Sequence, residues 1–209
     1  MQSRKKLGLR LATLPALVAA SMSFSAQADT TQVRVVWDQD PASNAVIGFS
    51  PKGQSSNAYV LYGQSPDEAS WKRKSASAVR SFDATLESQF VRLSNLSPDS
   101  TVYFKVCDDS GCGDNYLFKT ASSSAADFTF VAGGDSRSNA STRRAGNALV
   151  SKVRPLFVMF GGDLTYGNEA HEVSQWLDDW QSTFSQDTVN GKPYRAIPAL
   201  VPTVGNHEA

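Results

Sequence analysis

Three segments of the sequence share one plan: an apolar run, then glycine, then a side chain able to bind a metal ion. The segments are residues 128–135, 156–163 and 197–206, which end in Asp135, Asp163 and Asn206. Each apolar run suits a short buried strand, and glycine lets the backbone turn sharply and approach a ligand closely. Ligands bind at the carboxyl ends of parallel strands in α/β sheets. The pattern therefore predicts a parallel sheet with these three side chains along one edge.

Helical patterns separate the apolar runs. Residues 141–154 are predicted to form a first helix, which stops before Pro155. A second helix is indicated by apolar residues at spacings of three and four, namely Val173, Trp176, Leu177, Trp180 and Phe184. Its polar side is expected to contain Glu172, Gln175, Asp178 and Asp179. Alternating strands and helices predict βαβ units for residues 127–209.

The preceding part of the chain has a different pattern. Residues 29–121 contain short apolar runs at regular spacing with turn signals between them, which is typical of an all-β sandwich. The expected strands are 33–37, 45–49, 58–62, 90–93, 101–106 and 115–119. The small and polar residues 121–126 are interpreted as a linker between two domains.

The first 28 residues resemble an export signal rather than part of the fold. A basic head, an apolar stretch at 11–24 and the small-residue site Ala26-Gln27-Ala28 follow one another. The apolar stretch is too short to span a bilayer, which argues against the alternative of an uncleaved anchor. We expect a signal peptide at 1–28, a mature chain from Asp29, and a periplasmic or secreted protein with no membrane contact after cleavage.

Charge and cysteines constrain the mature chain further. The sequence has 20 basic and 20 acidic residues; residues 1–28 hold four basic and no acidic ones, so 16 and 20 remain. This acidic balance gives no reason to expect a nucleic-acid partner. Cys107 and Cys112 flank a four-residue hairpin tip, where facing strands bring them close. For an exported chain we predict a disulfide, and no further ligands for a metal are visible nearby.

The polar strand ends resemble the motifs of a known family. Gly-Asp-Ser-Arg at 134–137, Gly-Asp-Leu-Thr-Tyr at 162–166 and Gly-Asn-His-Glu at 205–208 resemble the first three motifs of calcineurin-like metallophosphoesterases, and among them the purple acid phosphatases. Residues 96–103 look like the E–F corner of a fibronectin type III domain, with Tyr103 as the corner tyrosine. The resemblance implies a fibronectin type III-like β-sandwich followed by the first half of an α/β metallophosphoesterase sandwich.

The same resemblance implies a role for each site residue. Asp135 and Tyr166 would bind the first of two metal ions, Asp163 would bridge both, and Asn206 would bind the second. His207 would contact phosphate or protonate the leaving group. A metal pair about 3.5–4 Å apart neutralises phosphoryl charge and supplies a nucleophile. The implied cofactors are iron plus a divalent ion (Fe, Zn or Mn), and the implied partner is a phosphate-ester substrate.

Two departures from the wider family bear on the metal site. Arg137 stands where many calcineurin-like enzymes have a metal-binding histidine, whereas purple acid phosphatases lack that histidine and use the tyrosine present here as Tyr166. Because a phenolate suits trivalent iron, Tyr166 favours iron at the first site. Purple acid phosphatases usually have glycine at the position of Arg137. This arginine either binds substrate phosphate or pairs with an acid.

Other roles for these residues remain open. Either aspartate alone could cap a helix, Tyr166 could be core packing, and Asn206 could cap a turn. Glu208 is interpreted as a support for the ligands rather than as a ligand.

Histidine is scarce for a complete site of this kind. The chain contains only His171 and His207, whereas the family completes its metal pair with three histidines from two later motifs. We therefore expect the N-terminal part of a longer acid phosphatase-like hydrolase of phosphate monoesters, inactive by itself, and the other possibility for the chain is an inactive natural truncation. The alternative is a non-catalytic extracytoplasmic binding or adhesion module with a vestigial phosphatase half. Monoester, diester and nucleotide substrates all remain open.

Overall fold

The computed structural model describes residues 28, 30–52, 57–83, 85–137, 139–167 and 169–209. The predicted export signal, apart from Ala28, and the predicted mature terminus Asp29 lie outside these residues. No helix in the described ranges is long and apolar enough to cross a membrane.

The described residues form fourteen strands and two α-helices. The strands are β1 Thr30–Val36, β2 Ala45–Pro51, β3 Tyr59–Gly63, β4 Lys72–Ser75, β5 Ala78–Ser81, β6 Glu87–Leu93, β7 Thr101–Asp108, β8 Gly111–Cys112, β9 Tyr116–Lys119, β10 Phe130–Gly133, β11 Phe157–Phe160, β12 Ser185–Val189, β13 Lys192–Ala196 and β14 Ala199–Pro202. The helices are α1 Ala140–Val153 and α2 Ala170–Trp180, and short 3₁₀ turns cover Glu68–Ser70 and Gln181–Thr183.

Two sheets pack face to face in the first half of the chain. One contains β1, β2, β5 and β6, and the other contains β3, β4, β7, β8 and β9. Alternate residues point inward, so Ile47, Phe49, Val60, Val91 and Phe104 are fully buried between them. The predicted β-sandwich is confirmed. All six strands expected there are present, within three residues of their predicted ends.

The second half contains the parallel sheet that the repeated segments predict. Strands β10, β11 and β14 lie side by side and run parallel, with Gly133 level with Phe160 and Phe160 level with Pro202. Helix α1 connects β10 to β11, and α2 lies between β11 and β14 in the chain. The carboxyl ends of these three strands therefore meet at one edge of the sheet.

Both sheets continue across residues 121–126. Strand β14 pairs in parallel with β1, with Val36 opposite Leu200. In the other sheet β13 pairs in parallel with β9, with Arg195 opposite Tyr116. The two predicted domains are thus joined edge to edge in each sheet, and one buried core includes residues from both.

A charged contact also ties the halves together. Glu68 accepts hydrogen bonds from Lys105 and from Lys192, each at 2.8 Å, and Lys192 belongs to the β12–β13 hairpin. The hydrogen bond from Lys105 and then that from Lys192 lower the pKa of the Glu68 carboxyl below its ordinary value, against an opposing effect of partial burial.

At the E–F corner, the Thr120 hydroxyl donates to the Ser97 carbonyl at 2.8 Å.

The prediction for Asp179 on the second helix is wrong. Its side chain is only 6% exposed, because α1 covers that side of α2 and presents Arg143 and Arg144 to the carboxylate. The apolar stripe is otherwise as expected, with Trp176, Leu177 and Trp180 buried.

Five strands were not predicted, namely β4, β5, β8, β12 and β13. Three of them, β4, β5 and β12, are edge strands of the two sheets and are rich in polar residues, such as Lys-Arg-Lys-Ser in β4. Edge strands are often charged, so the alternation of apolar and polar residues is missing. Several apolar side chains of the second half remain exposed, including Phe130, Leu149, Val153 and Met159.

The two cysteines are bonded to each other in the structure. Cys107 is the penultimate residue of β7 and lies directly opposite Cys112 of β8, so the bridge closes the hairpin tip.

Candidate active site

The candidate site lies on the three loops that follow β10, β11 and β14. Asp135 and Asp163 have the same left-handed backbone, with φ of 51° and 53°. This conformation is uncommon for residues other than glycine and is more accessible to Asp and Asn than to most others. Sparsely populated backbone conformations cluster at functional sites. The two aspartates therefore follow their strands with the same backbone conformation.

Glycine is required where the second and third loops meet. A Cβ atom on Gly162, whose φ is 80°, would lie 2.3 Å from the Gly205 nitrogen. A Cβ atom on Gly205 would lie 2.3 Å from the Asp163 carboxylate. Because such distances are far below van der Waals contact, these loops approach backbone to backbone. The glycines predicted to permit close approach do so here between two loops.

Two carboxylates converge on a single nitrogen atom. Nη1 of Arg137 lies 3.0 Å from Oδ1 of Asp135 and also donates to Oδ2 of Asp163. The side chain of Asp163 is 15% exposed and that of Asp135 is 67% exposed. Two roles were considered for Arg137, and in this structure it has the second, because it pairs with two acids.

The second oxygen of Asp163 is also engaged. Oδ1 accepts a hydrogen bond from the His207 backbone at 3.0 Å. This bond lowers the pKa of the Asp163 carboxyl, partial burial opposes it, and the Arg137 guanidinium adds to the lowering, so the pKa lies below its ordinary value. The carboxylate is therefore ionised over the physiological range and links the second loop to the third.

Glu208 accepts hydrogen bonds from the backbone of the same two loops. Its Oε2 accepts from the backbone N–H groups of Asp163 and Gly205, each at 2.8 Å, and its Oε1 accepts from Leu164 at 2.7 Å. Burial raises the pKa of the Glu208 carboxyl, but the three backbone donors together lower it more, so the pKa lies below its ordinary value. Glu208 supports the loop of Asp163, in line with the supporting role predicted for it.

Tyr166 and His207 form one side of the site. The two rings meet edge-on with centroids 5.9 Å apart, and the Tyr166 side chain is half-exposed. Nδ1 of His207 lies 2.7 Å from the Tyr166 carbonyl oxygen. Because a carbonyl oxygen only accepts, Nδ1 donates. The Arg137 guanidinium lies 5.4 Å from the centre of the Tyr166 ring.

Two further residues were considered in the sequence analysis, Asn206 and His171. Asn206 is exposed on the loop after β14, between Gly205 and His207. His171 opens α2, where its side chain is 76% exposed, as expected. Across the described ranges no three His, Cys, Asp or Glu side chains form a group able to hold a metal. The predicted donor set differs, since it also uses a phenol and an amide.

An ion-pair network missed by the sequence analysis supports the first loop. Arg143 of α1 donates from Nη1 to the Ser136 carbonyl at 2.8 Å, directly between Asp135 and Arg137. Its Nε and Nη2 donate to Asp179 at 2.9 and 2.6 Å. Trp176 adds a hydrogen bond to the Ser136 hydroxyl at 2.9 Å. No local spacing links Arg143 to Asp179, so the sequence carried no signal for this support.

The chemistry of the cluster fits a bound cation. The carboxylates of Asp135 and Asp163, on the loops after neighbouring parallel strands, both contact Nη1 of the positively charged Arg137. Carboxylate oxygens, a phenol and an amide oxygen are hard donors suited to iron and to divalent ions. By donor type these residues therefore suit a metal ion.

Comparisons with known proteins agree with this fold. Residues 30–120 match the family model of the purple acid phosphatase N-terminal domain. The solved structure of purple acid phosphatase PPD1 from yellow lupin (Lupinus luteus) seeds has a TM-score of 0.66 at 15% identity, covering 87% of this chain and 36% of that one. The structure of PhoD has a TM-score of 0.61 at 12% identity, covering 86% of this chain and 40% of that one.

These matches cover only part of the proteins compared. No curated protein matches the sequence. The chain spans well under half the length of both solved structures, and the likeness to them is one of fold. Residues 30–120 therefore match the purple acid phosphatase N-terminal domain family, and the described chain shares the fold of the corresponding part of the yellow lupin purple acid phosphatase.

Proposed function

We propose that this chain belongs to an extracytoplasmic, binuclear-metal hydrolase of phosphate monoesters of the acid phosphatase type. The observation that carries the proposal is the convergence of Asp135 and Asp163, from adjacent parallel strands, on one cationic nitrogen. The match of residues 30–120 to a phosphatase-associated domain adds to it.

Four residues of this chain would hold the metals. Asp135 and Tyr166 would serve the first ion, Asp163 would serve both, and Asn206 would serve the second. When bound, such a pair supplies charge neutralisation at the phosphoryl group and a nucleophile near neutral pH. A complete pair needs further nitrogen or oxygen donors beyond these four.

The other residues of the site bind and orient. His207 donates through Nδ1 to the Tyr166 carbonyl, which orients the ring. In that position the ring contacts phosphate or protonates the leaving oxygen. Arg137 offers a planar fork of N–H donors that matches two phosphate oxygens. Glu208 keeps the second and third loops together.

Colour provides the test of the first metal site. A phenolate bound to ferric iron absorbs visible light, so the intact protein loaded with iron should be violet. Tyr166→Phe should bleach it, whereas Tyr59→Phe on β3 should leave the colour unchanged. Asp163→Asn should lose both metals, as metal analysis would report. An active, iron-loaded wild type without colour would show that Tyr166 is not a ligand.

A second function has one observation in its favour. The family match is confined to residues 30–120, which is the sandwich alone. A binding or adhesion module with a vestigial phosphatase half would give such a match. The two functions separate on hydrolysis of a chromogenic phosphate monoester by the intact protein. Activity that Asp163→Asn abolishes supports the enzyme, and an inactive wild type with full metal content supports the module.

Export is part of the proposal and has its own test. The basic head, apolar stretch and Ala26-Gln27-Ala28 support cleavage before Asp29. N-terminal sequencing of the exported protein should begin at Asp29, and a sequence beginning at Met1 would contradict this.

A further inference from the structure

Arg137 occupies the point on which the two predicted metal-binding carboxylates converge. One nitrogen, Nη1, contacts Asp135 at 3.0 Å and also Asp163. The arginine side chain is 22% exposed, so it lies in the site rather than above it. The same atom thus neutralises both acids.

We infer that Arg137 and the first metal ion compete for these two carboxylates, so that metal loading requires the Arg137 side chain to leave them. This inference rests on the proposed function, since it assigns the first metal to the same oxygens. Metal ions bind carboxylate oxygens at about 2.0–2.2 Å. A guanidinium between the same two oxygens blocks that approach, and its like charge repels the ion at short range.

The loop backbone is fixed, so the exchange involves the side chain alone. The Asp135 N–H donates to the Gly162 carbonyl at 3.0 Å, and Arg143 holds the Ser136 carbonyl. Both anchors lie within two residues of Arg137. Rotation about its side-chain bonds therefore moves the guanidinium while the loop backbone stays in place.

The present position of Arg137 is also incompletely satisfied. Its Nε is buried, and within the described part of the chain it has no hydrogen-bond partner. A buried donor without a partner costs free energy, which lowers the barrier to leaving. A released guanidinium can offer Nε and Nη together to two oxygens of a phosphate. The order of events is then metal first and substrate phosphate second.

Metal affinity provides the direct test. The full chain, freed of metal with EDTA, would be titrated with Zn²⁺ in competition with a chromophoric chelator. Arg137→Gln should bind Zn²⁺ more tightly than the wild type, on the order of tenfold, because the competing state is removed. The same variant should have a lower melting temperature in EDTA, because the two carboxylates lose their counter-ion. Arg137→Lys keeps the charge and should bind Zn²⁺ more weakly than Arg137→Gln.

Two controls separate this inference from general effects. Arg92→Gln removes the same charge from an exposed pair on β6 and should leave Zn²⁺ affinity unchanged. Side-chain ¹⁵N spectra of the wild type should show the Arg137 Nε–H signal shifting in proportion to bound Zn²⁺. A signal that stays constant through the titration contradicts the competition.

The outcomes distinguish the inference from the proposed function. If the wild type binds Zn²⁺ and Asp163→Asn weakens that binding, the metal site stands. If Arg137→Gln then leaves affinity unchanged or weakens it, the competition alone is overturned. If Zn²⁺ binding is absent or insensitive to Asp163→Asn, the proposed metal site fails and the competition fails with it.

Discussion

Removal of the Asp179 carboxylate should destabilise the protein strongly. The side chains of Asp179 and Arg143 are each only 6% exposed, and three donors from two arginines contact the carboxylate. Asp179→Ala leaves the buried Arg143 guanidinium without its counter-ion. Breaking a buried pair in this way costs about 3–5 kcal/mol of the free energy of unfolding. Since whole domains have about 5–15 kcal/mol, this loss is a large fraction of the total.

Urea unfolding followed by circular dichroism measures this loss of unfolding free energy, and thermal unfolding measures the corresponding fall in melting temperature. At the size of this chain about 1 kcal/mol corresponds to about 2–4 °C, so the melting temperature should fall by roughly 6–20 °C. The control is Arg92→Ala, which breaks an exposed pair with Asp38 and should cost about 1 kcal/mol or less. The double variant Arg143→Met/Asp179→Leu should cost less than Asp179→Ala alone, because it leaves no unpaired buried charge.

The reasoning is refuted if Asp179→Ala and Arg92→Ala destabilise equally. In that case water or a rearranged partner satisfies Arg143, and the network contributes no more than a surface contact.

Three further predictions concern glycine, the disulfide and pH. Gly205→Ala should reduce the melting temperature and disrupt the site, whereas Gly146→Ala, which has open space around it in α1, should stabilise by about 1 kcal/mol. Thermal unfolding of both variants tests this pair, and equal effects would contradict the close loop contact. Replacing Cys107 and Cys112 together by serine should cost about 2 kcal/mol in urea unfolding, as expected for a short closed loop, and no measurable loss would contradict that estimate. The folded-state pKa of Glu68 is depressed, so its contribution is present above the unfolded pKa near 4.5 and is lost as pH falls through the folded pKa. Glu68→Gln should therefore flatten the decline of melting temperature below about pH 4.5, and an unchanged decline would contradict this role.

The parallel sheet was predictable because its signals are local. An apolar run followed by glycine and aspartate specifies a buried strand, a sharp turn and a polar group within eight residues. The same pattern after β10 and β11 predicted two equivalent loops, and the structure gives Asp135 and Asp163 equivalent left-handed backbones. Glu208 was also predicted to be a support rather than a ligand, and it accepts hydrogen bonds from the backbone of Asp163 and Leu164.

The remaining features depend on residues far apart in the sequence. Asp179 looked like a surface acid because its partner Arg143 belongs to the other helix. The position of Arg137 between two carboxylates follows from the register of β10 and β11, which no motif encodes. Strand β12, with the sequence Ser-Gln-Asp-Thr-Val, carries no apolar alternation and was therefore missed.

The joining of the two sheets across residues 121–126 has a consequence for how the chain folds during synthesis. Strands β1 and β9 each have one side that is paired only by β14 and β13, which are made near residues 192–202. Until then the emerging sandwich presents two bare edges, and open edges are sites of misassociation with other chains. Contacts between distant parts of a sequence also form slowly. Among the described strands β14 is made last, and it is the strand that covers the free edge of β1.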